Sequence, residues 1–352
     1  MKNVSIIMLA MCTVIYAGSV PFAQETSCAG LYSVADALYK QGKWSAANQV
    51  GRHALTKAQS SGAPYESRAI KSMVLLADLK RDQGKPAEAR ILCSAARDAA
   101  TKRFGPNHPV TINTLIKLGD LARRQADDET ARGLYISAME AARGDDIDVA
   151  SALVGLAGLY KKEGRPEPAE DLYRRALEVY ETTRKYRPYL DENIAQTCCD
   201  LAGINRERGD YAHASQDYRK ALAKFEPADG ANSARSADTR VILGDTYLDW
   251  GKPARAERQY RKALAAYESL RGSGDVKAAI TLKRLGDLYL AKGNYPKAER
   301  SYTQAVAVLK SCMPTCDDTL SAALKALADL KLKRAVSEKK GPLYEAVLAI
   351  LQ

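Results

Sequence analysis

At 352 residues the chain has room for two ordinary domains or one elongated array. With 46% hydrophobic and 27% charged residues, and 19 Tyr against 3 Phe, it is too apolar for a disordered chain and is composed like a set of amphipathic helices. A formal charge of +11 favours acidic partners in general, whether anionic lipid, nucleic acid, acidic peptide or wall polymer, and selects none of them.

The N-terminus reads as an export signal. Lys2 supplies the positive end, Val4 to Ala17 is apolar apart from Ser5 and Thr13, and small residues follow at Ala17-Gly18-Ser19. That is the order of a signal peptide over residues 1–23, too short for a stable transmembrane helix. Cleavage falls after Ala17, Ser19 or Ala23, and an uncleaved anchor is the competing reading. Leu9-Ala10-Met11-Cys12 has the outline of a lipoprotein box, but Met11 is bulky and the apolar run before it is short, so anchoring at Cys12 is disfavoured. No later segment is apolar enough to cross a membrane, and the mature chain is expected to be secreted or periplasmic.

Beyond the signal the chain repeats itself. Glycines at 42, 84, 164, 209, 251 and 293, with Ala126 standing in at the third unit, are spaced by 42, 42, 38, 45, 42 and 42 residues. Taking each as an origin, alanine stands five residues later at 47, 89, 131, 169, 214, 256 and 298. It recurs twelve residues later at 54, 96, 138, 176, 221, 263 and 305. Tyrosine stands at +9 in the last five of these units (Tyr135, Tyr173, Tyr218, Tyr260, Tyr302), and position −8 is always Val or Leu. Offsets +5, +9 and +12 share one helical face, with small residues where two helices must approach and a ring between them. The glycine reads as the left-handed residue that ends a helix. Each unit is therefore predicted to be a helix, a tight turn and a second helix, and only stacking of units closes the core.

The segment 227–238, rich in Ala, Ser, Asp, Pro and Gly, reads as the longest break, a surface loop or hinge between the fifth and sixth units. A worn eighth unit follows: Leu327-Ala328-Asp329-Leu330 copies Leu285-Gly286-Asp287-Leu288, and Tyr344 and Val347 fall at the expected offsets. The predicted boundaries are repeats over 24–335, including the first helix of that eighth unit, and a capping helix over 336–352.

These residues resemble the tetratricopeptide repeat. Segments such as Leu285-Gly286-Asp287-Leu288-Tyr289 and Tyr295-Pro296-Lys297-Ala298-Glu299 match its pattern closely. The 42-residue step is similar to the kinesin-light-chain subtype, as is the turn Gly105-Pro106-Asn107-His108-Pro109. The resemblance covers roughly residues 28–350 and implies an all-α, right-handed superhelical solenoid of about eight helix-turn-helix repeats. It also implies a concave groove, lined by the first helices, in which family members hold peptides.

In the family the groove-lining positions lie six and ten residues before the origin. At −6 stand Asp36, Asp78, Asp120, Asp245, Asp287 and Asp329, interrupted by Gly158 and Gly203, so the row is a candidate acidic ladder for a basic protein or peptide. Pairing within one helix, as Asp78 with Arg81 and Asp120 with Arg123, is the competing reading, worth a few tenths of a kcal/mol per pair. Position −10 is mostly apolar, so the family's clamp for a terminal carboxylate is not carried over. On the second helices Arg174-Arg175, Arg219-Lys220 and Arg261-Lys262 form a candidate basic outer stripe for an anionic envelope component, with Glu170 and Glu257 placed to neutralise two of them.

Cys312 and Cys316 are the pair expected to form a disulfide, because Pro314 breaks the chain between them, whereas Cys198 and Cys199 point to different sides of one helix. No zinc spacing, phosphate-binding glycine loop or nucleophile elbow is present, so no catalytic residue, metal or cofactor is expected. Nucleic acid is disfavoured by the export signal and the absence of a binding motif. The function expected is a non-enzymatic scaffold that binds a peptide or partner protein in the groove. The alternative is an envelope-associated protein that binds anionic lipid or polymer through the outer stripe, and a third reading is a self-associating array.

Overall fold

The computed structural model describes residues 28–60, 67–142, 147–187, 190–229, 233–271, 275–311 and 317–338. Among them lie fifteen helices and no strand. In the first repeats these are α1 (Cys28–Lys40), α2 (Trp44–Ser60), α3 (Ser67–Asp82), α4 (Pro86–Phe104), α5 (Pro109–Arg124), α6 (Asp128–Ala141), α7 (Ile147–Lys162) and α8 (Pro166–Arg184). The remainder are α9 (Asp191–Glu207), α10 (Tyr211–Asp229), α11 (Ala234–Asp249), α12 (Pro253–Arg271), α13 (Val276–Ala291), α14 (Tyr295–Ser311) and α15 (Asp317–Glu338). Odd-numbered helices through α13 are the first (A) and even-numbered ones the second (B) helices of seven repeats, and α15 is the A helix of the eighth. The signal peptide, Cys312, Cys316 and residues 339–352 lie outside the described residues.

Each A–B turn is built by the same two bonds. The origin residue sits in the left-handed region, at φ between 68° and 80° for Gly42, Gly84, Gly164, Gly209, Gly251 and Gly293. Its N–H and that of the next residue turn back onto the helix, as Gly42 N to Tyr39 O and Lys43 N to Leu38 O at 2.9 Å each. This is the Schellman pattern, and it satisfies carbonyls that the end of a helix leaves unpaired. The residue after the origin is also the N-cap of the B helix. Asp127, Asp210 and Asn294 use their side chains for this, accepting from Thr130 N, His213 N and Lys297 N.

The core follows the offsets. Every alanine at +5 and +12 in the seven repeats is fully buried, and the aliphatic residues at −8 are buried with them. Tyr135, Tyr173, Tyr218, Tyr260 and Tyr302 at +9 are all buried, so the small–large–small face closes the hairpin as expected.

The helices group into two compact units, the first ending at Thr183 and the second beginning at Arg184. The first carries repeats one to four, the second repeats five to seven and α15. The expected break at 227–238 is a correction: α10 runs on to Asp229 with Pro227 inside it, and α11 begins at Ala234. Pro227 falls in the last turn of α10, where the chain is about to leave the helix, and Ser233 caps α11 by accepting from Ser236 N at 3.1 Å. The longer 45-residue step instead spans the boundary between the fourth and fifth repeats, where the two units divide.

Candidate functional site on the open face of the A helices

At −6, Asp78, Asp120, Asp245 and Asp287 are held by side chains of this chain. In the third, sixth and seventh repeats the buried tyrosine at +9 reaches through the hairpin and donates its hydroxyl to the aspartate of its own repeat. The distances are 2.8 Å for Tyr135 to Asp120 and 2.6 Å for both Tyr260 to Asp245 and Tyr302 to Asp287. Burial, together with the adjacent carboxylate, pushes the phenol pKa of all three above its ordinary value.

A third residue makes this possible. In these repeats position −7 is Gly119, Gly244 or Gly286, and a Cβ there would stand 2.7, 2.5 and 2.5 Å from the ring. The ring lies against bare backbone. In the fourth and fifth repeats the −7/−6 pair is Ala157-Gly158 and Ala202-Gly203, so the aspartate is absent where the glycine has moved one place. In the first and second repeats, position +9 is Gly51 and Cys93, and alanine and aspartate coexist at −7/−6.

The remaining aspartates are held differently. Asp78 accepts from Arg81 at 2.5 Å and stands 3.8 Å from Lys117 of the next repeat. Tyr39 donates to Asp82 at 2.7 Å and accepts from Arg81 at 3.1 Å. Burial raises the carboxyl of Asp82, but bonds from Arg81 and Tyr39 hold it below its ordinary range. Asp245 also accepts from Arg284 at 2.9 Å, and Asp287 from Lys283 at 2.9 Å. Asp36 lies beside Tyr32, whose pKa is pushed up to about 12 by burial first and Asp36 second. Asp329 is exposed on α15. The row is unevenly exposed: side chains are 16% exposed at Asp78, 18% at Asp245 and 45% at Asp287.

The basic pairs on the B helices are exposed and largely matched. Arg174 bonds Glu170 at 2.7 Å, Arg175 stands 3.9 Å from Asp171, and Lys220 is 3.3 Å from Asp217. Arg219 donates to Ser215 O, and Arg261 bonds both Glu257 and the hydroxyl of Tyr289 at 2.9 Å. Lys262 lies with Arg258 and Arg261 on a shallow depression of about 420 Å³ along α12. Among the described residues no group of His, Cys, Asp or Glu is placed to hold a metal, and no helix is long and apolar enough to cross a membrane. Cys93 and Cys198 are buried and Cys199 partly buried, none of them in a disulfide.

One row went unread in the sequence. At −3 the second unit carries Arg206, Leu248, Leu290 and, in α15, Leu332, and at −9 it carries Ile242. Leu332 and Ile242 are 39% and 38% exposed, and Leu248 and Leu290 are partly so. The offsets were available as a signal, but only burial separates the exposed Leu332 from Leu248 and Leu290, which pack against the core.

Against this geometry the comparisons with known proteins agree on the class. Tetratricopeptide repeat models match residues 68–144, 129–182 and 193–269, and a second model of the same repeat matches 281–312. The chain belongs to the tetratricopeptide repeat family, and is a protein-interaction scaffold of the kind these repeats build. Among solved structures it is similar to BtubC (BKLC) from P. vanneervenii, with 25% identity over 67% of this chain and 92% of that one, at TM-score 0.54. It is similar also to a chain of the APC/C hetero-tetramer Cut9-Hcn1, with 12% identity over 85% of this chain and 53% of that one, at TM-score 0.54. A Podosopora anserina putative kinesin light chain with nearly identical TPR-like repeats is 17% identical over 58% of this chain and 96% of that one, at TM-score 0.46. No curated protein sequence matches the chain.

Proposed function

We propose that this chain is an exported, non-catalytic scaffold that holds an extended segment of a partner protein along the open face of its A helices. The observation that carries the reading is the division of labour in the third, sixth and seventh repeats. Positions −8, +5 and +12 are spent on the core, while the −6 carboxylate stays partly exposed and is fixed in place by a buried tyrosine. Side chains held by the fold present a preformed surface, which lowers the ordering cost of binding.

The test is affinity capture of periplasmic or extracellular proteins with residues 24–352 as bait, beside Asp120→Asn/Asp245→Asn/Asp287→Asn. Asparagine keeps an oxygen to accept from each tyrosine and removes the charge, whereas lysine would strand the buried hydroxyl. A partner bound by the natural chain and lost by the folded variant supports the reading. A partner indifferent to it, but lost when Arg174, Arg219 and Arg261 are neutralised, supports the anionic-envelope alternative. Export itself rests on residues 1–23, and N-terminal sequencing of the protein from the producing cell tests it: an intact Met1 in the mature product sinks it.

A further inference from the structure

We infer that the notch at Gly158, on the A helix of the fourth repeat, takes the side-chain carboxylate of an Asp or Glu in the bound segment, with Arg123 and Tyr173 as its donors; this rests on the groove reading above and gives it a ligand chemistry at one place.

The first observation is that the packing does not ask for glycine there. A Cβ at Gly119, Gly155, Gly244 or Gly286 would stand 2.4–2.7 Å from a tyrosine ring. At Gly158 it would meet the Tyr173 hydroxyl at 3.8 Å and Arg123 Nη1 at 3.9 Å, which are ordinary contact distances. Gly158 lies inside α7 and is not among the glycines in the left-handed region, so backbone conformation does not require it either. What the missing side chain leaves is an opening, partly exposed, between a hydroxyl and a guanidinium.

The second observation is that another repeat fills the same place with a carboxylate held by the same two kinds of donor. In the sixth repeat Asp245, at −6, accepts from the Tyr260 hydroxyl at 2.6 Å and from Arg284 Nε at 2.9 Å. The fourth repeat has the matching tyrosine, Tyr173 at +9, and a guanidinium that comes from the preceding repeat instead of the following one. Its −6 residue brings no carboxylate.

The third observation is the state of Arg123. It donates to the Tyr135 hydroxyl, and its Nε is buried with no hydrogen-bond partner among the described residues. Burial works against its charge, but the bond to Tyr135 and the nearby Asp120 hold its pKa above the ordinary value. Asp120 accepts from the same Tyr135 hydroxyl at 2.8 Å, so Arg123 is a cation shared with Asp120 and fixed in place by the fold. A fixed guanidinium beside a hydroxyl favours a carboxylate over an amide, and a cation in the notch would face like charge. All of these residues belong to the first unit.

The experiment uses residues 24–352 and three peptides labelled at the N-terminus, followed by fluorescence anisotropy at physiological salt. They are Lys-Ser-Ser-Glu-Ser-Ser-Lys with an amidated C-terminus, the same amide with Gln in place of Glu, and the Gln peptide with a free terminal carboxylate. Two variants accompany them: Arg123→Gln, and Gly158→Asp, which places the chain's own carboxylate in the notch. The Glu amide is expected to bind at least about fivefold more tightly than the Gln amide, and both variants to abolish that preference. Gly158→Asp is expected to melt no lower than the natural chain. Failure of the Glu amide to bind, equal binding of the two amides, a preference that survives Gly158→Asp, or a clear fall in the melting temperature of that variant overturns the inference. Tightest binding by the Gln peptide with the free terminus assigns the notch to a chain end and overturns the side-chain reading. Equal binding of the amides that is lost in Asp120→Asn/Asp245→Asn/Asp287→Asn leaves the groove reading standing, whereas equal binding indifferent to that variant removes it too.

Discussion

Ala126 stands where six repeats have glycine, and the chain still takes the left-handed turn, at φ 60°. Its N–H bonds Arg123 O at 3.2 Å and the next N–H bonds Ala122 O at 3.0 Å, so the hairpin keeps its form against the preference of an L side chain. Ala126→Gly is expected to stabilise the protein by about 1 kcal/mol, the left-handed penalty less the extra entropy of an unfolded glycine. Thermal unfolding checks it: a rise of roughly 2–4 °C is the expected size for a unit of this length, and a fall would mean that the turn is not strained at Ala126. The tyrosines at +9 make a second prediction at this scale. Tyr135, Tyr260 and Tyr302 have raised phenol pKa values in the fold, so their contribution is complete below the unfolded value near pH 10 and declines as pH climbs above it. Stability should fall above about pH 10 by up to roughly 1.4 kcal/mol per pH unit for each tyrosine. Denaturant midpoints measured through that range should show a shallower fall in Tyr260→Phe; an unchanged slope would remove the hydroxyl from the argument.

At the scale of the element, the helix ends show how one residue type substitutes for another. The start of α5 is capped by a histidine: His108 Nδ1 accepts from Val110 N at 3.2 Å, while its ring stacks on Phe104 at 4.4 Å between centroids. Pro109 follows at the first helical position, where a missing N–H costs nothing. His108→Ala should lower stability by about 1 kcal/mol and speed amide exchange at Val110, and His108→Asn, which can also accept, should recover the protection. Fast exchange at Val110 in the natural chain would show that the cap carries no weight. Such caps explain why helix occupies much of the break read at 227–238: Pro227 and Asp229 lie in the last turn of α10, and Ser233 is the cap that starts α11.

At the scale of the molecule, the break between units falls at Thr183/Arg184. The segment after α8 is basic and accessible: Lys185, Tyr186 and Arg187 are exposed outside any helix, Tyr186 at 77%. Limited trypsin digestion is expected to cut within 184–187 early and to leave an N-terminal product that keeps its helical signal. Early products that all lie inside helices, with none ending there, would contradict the division.

The repeat, the helix pairs and the turns were legible in residue order alone, because a hairpin of two helices is set by local bonds and by a face of small and large residues at fixed offsets. Gly42 and its counterparts, and the alanines at +5 and +12, needed no neighbour to be read. The site was legible only as a row of positions. The sequence shows aspartate at −6 but not that Tyr135, Tyr260 and Tyr302 hold three of those carboxylates, nor that their rings lie against Gly119, Gly244 and Gly286. Nor does it separate Leu332, at the surface, from Leu330, fully buried two residues earlier on the same helix. Those distinctions depend on which side chains meet across the hairpin and between successive repeats. A hydrogen bond or a buried contact belongs to a pair of residues brought together by packing, and the tertiary structure alone brings them together.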